Sequence, residues 1–208
     1  MAVAEPDHGR AGDPRPVLTR RASFAVAALA LAPGAARIVV APSAARIVVA
    51  RGMLTFGEIR VRCSVGRNGV RTEKQEGDGA TPAGVFPLRE VLYRPDRCPK
   101  PATSLPVSAI GAQDAWSDDP ADPAYNQRVA LPRAFHAERL WRQDGLYDVL
   151  AVIGANDSPP APGRGSAIFL HIASPGYSGT DGCVAVARTD LLRVLARCGA
   201  ETEIQIGA

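Results

Sequence analysis

The sequence predicts a mainly β protein with one or two short helices. Three observations carry this. Short apolar stretches alternate with polar residues at period two and are separated by Gly- and Pro-containing turns. The longest apolar run within residues 46–208, residues 146–153, has the length and branched content of a central strand. Helical spacing with a capping residue appears clearly only in residues 189–197, where Thr189 is the expected cap.

The elements follow in order. Arg46–Ala50 and residues 59–65 are β-rich and separated by Gly52 and Gly57, which predicts an opening β-pair or meander. Residues 66–69 carry an Asn-Gly hairpin signal. A polar loop at 77–84 leads into a strand at 85–91. Residues 93–132 are proline-rich and read as an irregular insertion over a cleft. Trp116 is its aromatic candidate for meeting substrate, set against the plainer reading of a solvated surface loop. After the run at 146–153, Asn156 is a candidate to orient substrate or shape a turn. Residues 168–170 form a strand that ends at His171, and residues 202–206 alternate as a closing strand. The count comes to about seven strands.

The first 45 residues differ from the rest. Residues 1–18 are rich in Pro, Gly, Asp and Arg, a composition that predicts disorder. Arg20 and Arg21 then precede an apolar run at 22–32, the form of an export signal and too short to span a bilayer. The expected location is therefore the cell envelope or periplasm, with no transmembrane span, or the cytoplasm if this segment is not a signal. Residues 35–41 recur as 44–50, a local duplication in which the second copy is expected to form the first strand.

Composition excludes several functions. A net charge of +3 with scattered basic residues gives no nucleic-acid footprint. The cysteines Cys63, Cys98, Cys183 and Cys198 contain no C-x-x-C pair, so no metal site is expected. Cys63 is expected to point inward, and a Cys98–Cys198 disulfide stays open as a possibility in an oxidising compartment.

The chemistry concentrates between residues 166 and 184. His171 stands at a strand end, and Thr180-Asp-Gly-Cys183-Val follows after a Pro/Gly loop. Cys183 has the chemistry of a thiolate nucleophile, and His171 that of its base. Gly182 leaves the backbone free to approach a reacting carbonyl. Singly, such a cysteine or histidine is more often structural. The two together, with the glycine, make a catalytic constellation. His136 is the other histidine available as a base within the fold, since His8 lies in the tail.

Three blocks in order, residues 77–86 (GDGATPAGVF), 168–171 (IFLH) and 180–184 (TDGCV), resemble the L,D-transpeptidase catalytic domain family (YkuD type). The resemblance implies a β-sandwich catalytic domain over residues 46–208. It also implies a Cys183 acyl-enzyme with His171 as acid and base, peptidoglycan stem peptides as partners, and no cofactor. The Gly182 and Cys183 N–H groups become candidate oxyanion donors. The alternatives are an L,D-carboxypeptidase or endopeptidase using the same nucleophile, and a non-catalytic wall-binding module. Two positions depart from the commoner pattern: Asp181 replaces a histidine, and Ala185 replaces an arginine or asparagine. Arg188, the next cation downstream, is the candidate to reach the same space.

Overall fold

The computed structural model describes residues 46–207, so the tail, the expected export signal and the first copy of the repeat lie outside the described residues. The described residues form fourteen strands and one helix: β1 (Arg46–Ala50), β2 (Met53–Phe56), β3 (Ile59–Ser64), β4 (Val70–Arg71), β5 (Thr81–Pro82), β6 (Gly84–Tyr93), β7 (Val107–Ala109), β8 (Asp114–Ser117), β9 (Arg128–Ala130), β10 (Ala137–Arg139), β11 (Val149–Ile153), β12 (Phe169–Ile172), β13 (Val184–Val186), α1 (Arg188–Leu195) and β14 (Glu203–Ile206). The mainly β, sandwich-like expectation is met. The strand count exceeds it because several strands are only two to four residues long and carry little periodic signal.

The main sheet runs β11-β12-β13-β3-β2-β1-β14-β6-β7, and β6 also pairs with β11. That extra pairing closes the sheet on itself. The ten-residue β6 makes this possible: residues 84–87 pair with β14, and residues 88–93 pair with β11. The result is a flattened barrel, or a sandwich with closed edges, which leaves few unpaired strand groups. The opening segment is a true meander, with β1, β2 and β3 antiparallel in sequence. The second repeat copy forms β1, which lies between β2 and β14.

Two hydrophobic clusters sit on opposite sides of the barrel wall. The inner one contains Ile47, Leu54, Leu170, Val184 and Ile204 and is plugged by Leu191, Val194 and Leu195 of α1. The outer one contains Leu92, Trp116, Leu140, Tyr147, Phe169 and Cys183. Alternation explains the division. Along β11, Val149, Ala151 and Ile153 face inward, while Leu150 and Val152 face the outer cluster. All five are buried, which is why this stretch reads as a continuous apolar run rather than an alternating one.

Three local expectations change. The segment expected to be irregular contains β7, β8 and β9, and the latter two join β10 in a three-stranded antiparallel sheet covering the outer cluster. Its polar sequence hides this because ion pairs, not apolar alternation, stabilise it: Arg128 with Asp114, and Arg133 with Asp122. Thr189 does not cap α1, which starts one residue earlier after Ala187 without a side-chain cap bond. The 66–69 turn links β3 to β4 rather than closing a hairpin, and β4 pairs parallel with β5.

All four cysteines are free thiols. Cys63 is buried as expected. The Cys98 thiol lies within reach of the Arg94 and Asp148 carbonyls and can donate its one hydrogen to either, and the Cys198 thiol donates to the Val194 carbonyl; no Cys98–Cys198 bridge forms. Among the described residues no helix is long and apolar enough to cross a membrane.

Candidate active site

The strands β12 and β13 run parallel, with His171 opposite Ala185. Side chains two residues apart share a face. Cys183, two residues before Ala185, therefore lies on the His171 face, the outer side of the barrel wall. Both residues line one cavity of about 730 Å³ between that wall and the small β8–β10 sheet.

Cys183 is 7 % exposed. Its thiol donates to the Ala167 carbonyl at 3.2 Å and accepts from the Phe169 N–H at 3.3 Å. Burial, reinforced by the Glu138 charge, pushes its pKa up to about 12, against the Phe169 N–H hydrogen bond and the Lys74 charge. His171 is also buried, and burial pushes its pKa down to about 4. Its Nδ1 lies 2.8 Å from the Ile172 carbonyl. A carbonyl only accepts, so Nδ1 carries the proton and Nε2 keeps its lone pair. At neutral pH the resting pair is thus a thiol and a neutral imidazole.

The backbone around Cys183 is held from two sides. The Thr180 hydroxyl donates to the Cys183 carbonyl at 2.7 Å and accepts from the Gly182 N–H at 3.2 Å. The Thr81 hydroxyl donates to the same carbonyl at 3.3 Å and accepts from the Gly66 N–H at 2.7 Å. Gly182 has φ +142°, and a Cβ there would lie 3.0 Å from the Ala80 carbonyl, so a side chain would displace the nucleophile loop. Beneath it runs the Lys74 side chain, only 7 % exposed, whose ammonium donates to Asp78 and to the Gln75 carbonyl, each at 2.6 Å.

Charged pairs form the cavity wall. Glu76 accepts from the Tyr125 hydroxyl at 2.5 Å and the Ser166 hydroxyl at 2.6 Å, tying three segments together. Glu138 accepts from the Tyr147 hydroxyl at 2.7 Å and pairs with Arg142 at 3.4 Å. His136 contacts Asp118 at 2.6 Å at the rim, on the small sheet's side. Arg67 pairs with Asp181, the residue standing where the commoner pattern has histidine.

The predicted residues separate into two groups. Cys183 and His171 line the same cavity, with Gly182 beside Cys183. The other three stand elsewhere. Trp116 is buried against Phe169, ring centroids 5.2 Å apart, with its indole N–H on Asn126 at 2.9 Å. Asn156 bonds the Ala161 and Gly165 carbonyls and lines a separate cavity of about 220 Å³. Arg188 pairs with Asp148 at 3.2 Å and is not among the cavity-lining residues. Their polarity and aromaticity marked them in sequence, but each serves local architecture. Tyr147, Glu138, Thr81 and Lys74 were not singled out. Thr81 lies inside the GDGATPAGVF block, so that block held the available signal. Tyr147 and Glu138 come together only through the inserted sheet.

Among the described residues no group of three His, Cys, Asp or Glu side chains is placed to hold a metal ion. No curated protein and no solved structure matches the chain. The family model described as the L,D-transpeptidase catalytic domain (YkuD) matches residues 35–206, and the chain belongs to that family.

Proposed function

We propose that this protein is a cysteine acyltransferase that remodels peptidoglycan stem peptides through a Cys183 acyl-enzyme. The observation that carries this reading is the His171 Nε2 lone pair, available in the same cavity that Cys183 lines. Family membership supports the substrate class.

A thiol pushed up to about 12 beside an imidazole pushed down to about 4 does not ionise spontaneously. Proton transfer is therefore coupled to attack. As Sγ bonds to the carbonyl carbon of an L-centre to D-centre peptide bond, its proton passes to Nε2. The Cys183 N–H, which no protein acceptor takes among the described residues, receives the oxyanion. The Gly182 N–H is already engaged by Thr180 and serves the loop instead. The resulting imidazolium is a strong acid in this buried setting. It protonates the leaving amine as the C–N bond breaks and a terminal D-amino acid departs. An acceptor amine then attacks the thioester and gives its proton to His171, and the sulfur recovers a proton as the C–S bond breaks.

The test is mass spectrometry of tetrapeptide-stem muropeptides incubated with the protein, with Cys183→Ala as control. Cross-linked dimers or an exchanged terminal D-amino acid, absent from the control, are the expected products. Trimmed stems alone would replace the transferase reading with a hydrolase. No change in either sample would leave a wall-binding module as the better account.

A further inference from the structure

Tyr147 packs against the His171 ring and lines the same cavity as Cys183. It is 5 % exposed. Its ring meets the His171 ring edge-on, centroids 5.2 Å apart at 77°, and the Phe169 ring at 5.7 Å and 88°. The Arg142 guanidinium lies over its face at 4.9 Å. Its hydroxyl donates to Glu138 at 2.7 Å, and Tyr147 packs in the same outer cluster as Cys183 and lines the same cavity.

We propose that Tyr147, held by Glu138, is a positioning residue for the Cys183–His171 pair, fixing the imidazole with its ring edge and offering its hydroxyl to the sulfur when the thiolate forms. The inference rests on Cys183 being the nucleophile. Donor counting gives the reason. The resting thiol spends its own proton on the Ala167 carbonyl and receives one hydrogen bond, from Phe169. Once that proton leaves for His171, the sulfur is a buried anion with a single donor. A buried anion with too few donors is costly. The Tyr147 hydroxyl carries one hydrogen, which points at Glu138 at rest. Rotation of that hydroxyl about its C–O bond turns the hydrogen to the sulfur, with no covalent bond broken. Glu138 then keeps Arg142 as its partner.

The charges around this contact set the sign of each effect. His171, Arg142 and Glu138 face Tyr147 directly. Asp118 and Glu76 act on Glu138, Asp144 on Arg142, and Lys74 on Cys183 from beneath Gly182. Glu138 opposes the thiolate twice, as a like charge and as a competitor for the hydroxyl hydrogen. Removing the hydroxyl and removing the carboxylate charge must therefore move Cys183 in opposite directions.

The experiment is the rate of Cys183 alkylation by iodoacetamide between pH 6 and 9, followed on the Cys183 peptide by mass spectrometry. Below the thiol's midpoint the rate follows the thiolate fraction, so a displaced log rate against pH reports a displaced pKa. Tyr147→Phe keeps the ring and is expected to slow alkylation by roughly three- to tenfold at each pH, a shift of about half to one unit. Glu138→Gln is expected to speed it by a similar factor. A residue that only fills space moves neither profile, or moves both the same way. An unchanged profile in a Tyr147→Phe protein that melts like the wild type overturns the proposal. If Tyr147→Phe fails to fold, an unchanged or slowed profile in Glu138→Gln does so. Absence of Cys183 alkylation in the wild type would instead defeat the nucleophile reading itself, and this inference with it.

Discussion

The inner and outer clusters share one barrel wall yet serve different ends. The inner cluster is closed by α1 and its ionisable members are two thiols, Cys63 and Cys198, which burial pushes up to about 11 and about 12. The outer cluster is equally apolar at its centre, but His171, Glu138, Arg142 and Lys74 border it. The inner face holds the strands in register. The outer face uses that register to place Cys183 and His171 on one cavity. On the proposed reading, chemistry is carried by side chains whose backbone is fixed from behind, which is how precise geometry is obtained without a rigid loop.

The sharpest way to separate the two faces is at the site. Cys183→Ala and His171→Ala are each expected to lower turnover by about 10³-fold or more while the melting temperature barely changes, measured by muropeptide assay and calorimetry. A comparable loss of stability would mean that these residues belong to core packing instead. Trp116→Ala tests the roof of the outer cluster. Loss of a buried indole that packs on Phe169 and bonds Asn126 should cost about 3–5 kcal/mol, read from urea unfolding. A change in KM without a change in stability would restore a substrate role to this residue.

The pH dependence of unfolding compares the faces in one experiment. His171 is held neutral in the fold, its pKa depressed to about 4 mainly by burial, whereas an unfolded histidine titrates near its model value of 6.5. Its contribution is therefore complete above about pH 6.5 and is lost as pH falls toward 4, at most roughly 3 kcal/mol. The buried thiols act with the opposite sign. Cys63, Cys183 and Cys198 keep their protons above the model value of 9.0, so stability declines as pH rises through 9 toward 11–12. His171→Gln should flatten the acid limb and leave the alkaline limb unchanged. The smallest effect is expected for Arg188→Gln, below about 1 kcal/mol, because its ion pair is partly exposed and Asp148 keeps Arg97 at 3.1 Å.

How much of this was legible in sequence depends on distance along the chain. His171 and Cys183 lie twelve residues apart, on β12 and the approach to β13, so their sharing of one cavity was readable locally. The strands β1, β3, β6 and β14 announced themselves by apolar patterning, since each has one face on the inner cluster. The small sheet did not, because paired charges and short strands replace periodicity there. For the same reason Glu138 and Tyr147, on separate segments, gave no joint signal. Trp116 drew attention by its chemistry, but a large aromatic in a polar segment is as well suited to roofing a cluster as to meeting a ligand.

One feature of β6 bears on how such a protein changes over generations. Tyr93 is the partner of Ala109 on one side and of Val149 on the other. The segment from 110 to 148, which carries the small sheet and much of the cavity wall, therefore leaves and rejoins the barrel at two points flanking a single residue, about 10 Å apart by strand spacing. A segment with adjacent ends can be lengthened, shortened or exchanged at little entropic cost to its host. Cys183 and His171 lie outside it, on β12 and the approach to β13. The arrangement lets a lineage replace much of the cavity wall while inheriting the proposed nucleophile unaltered.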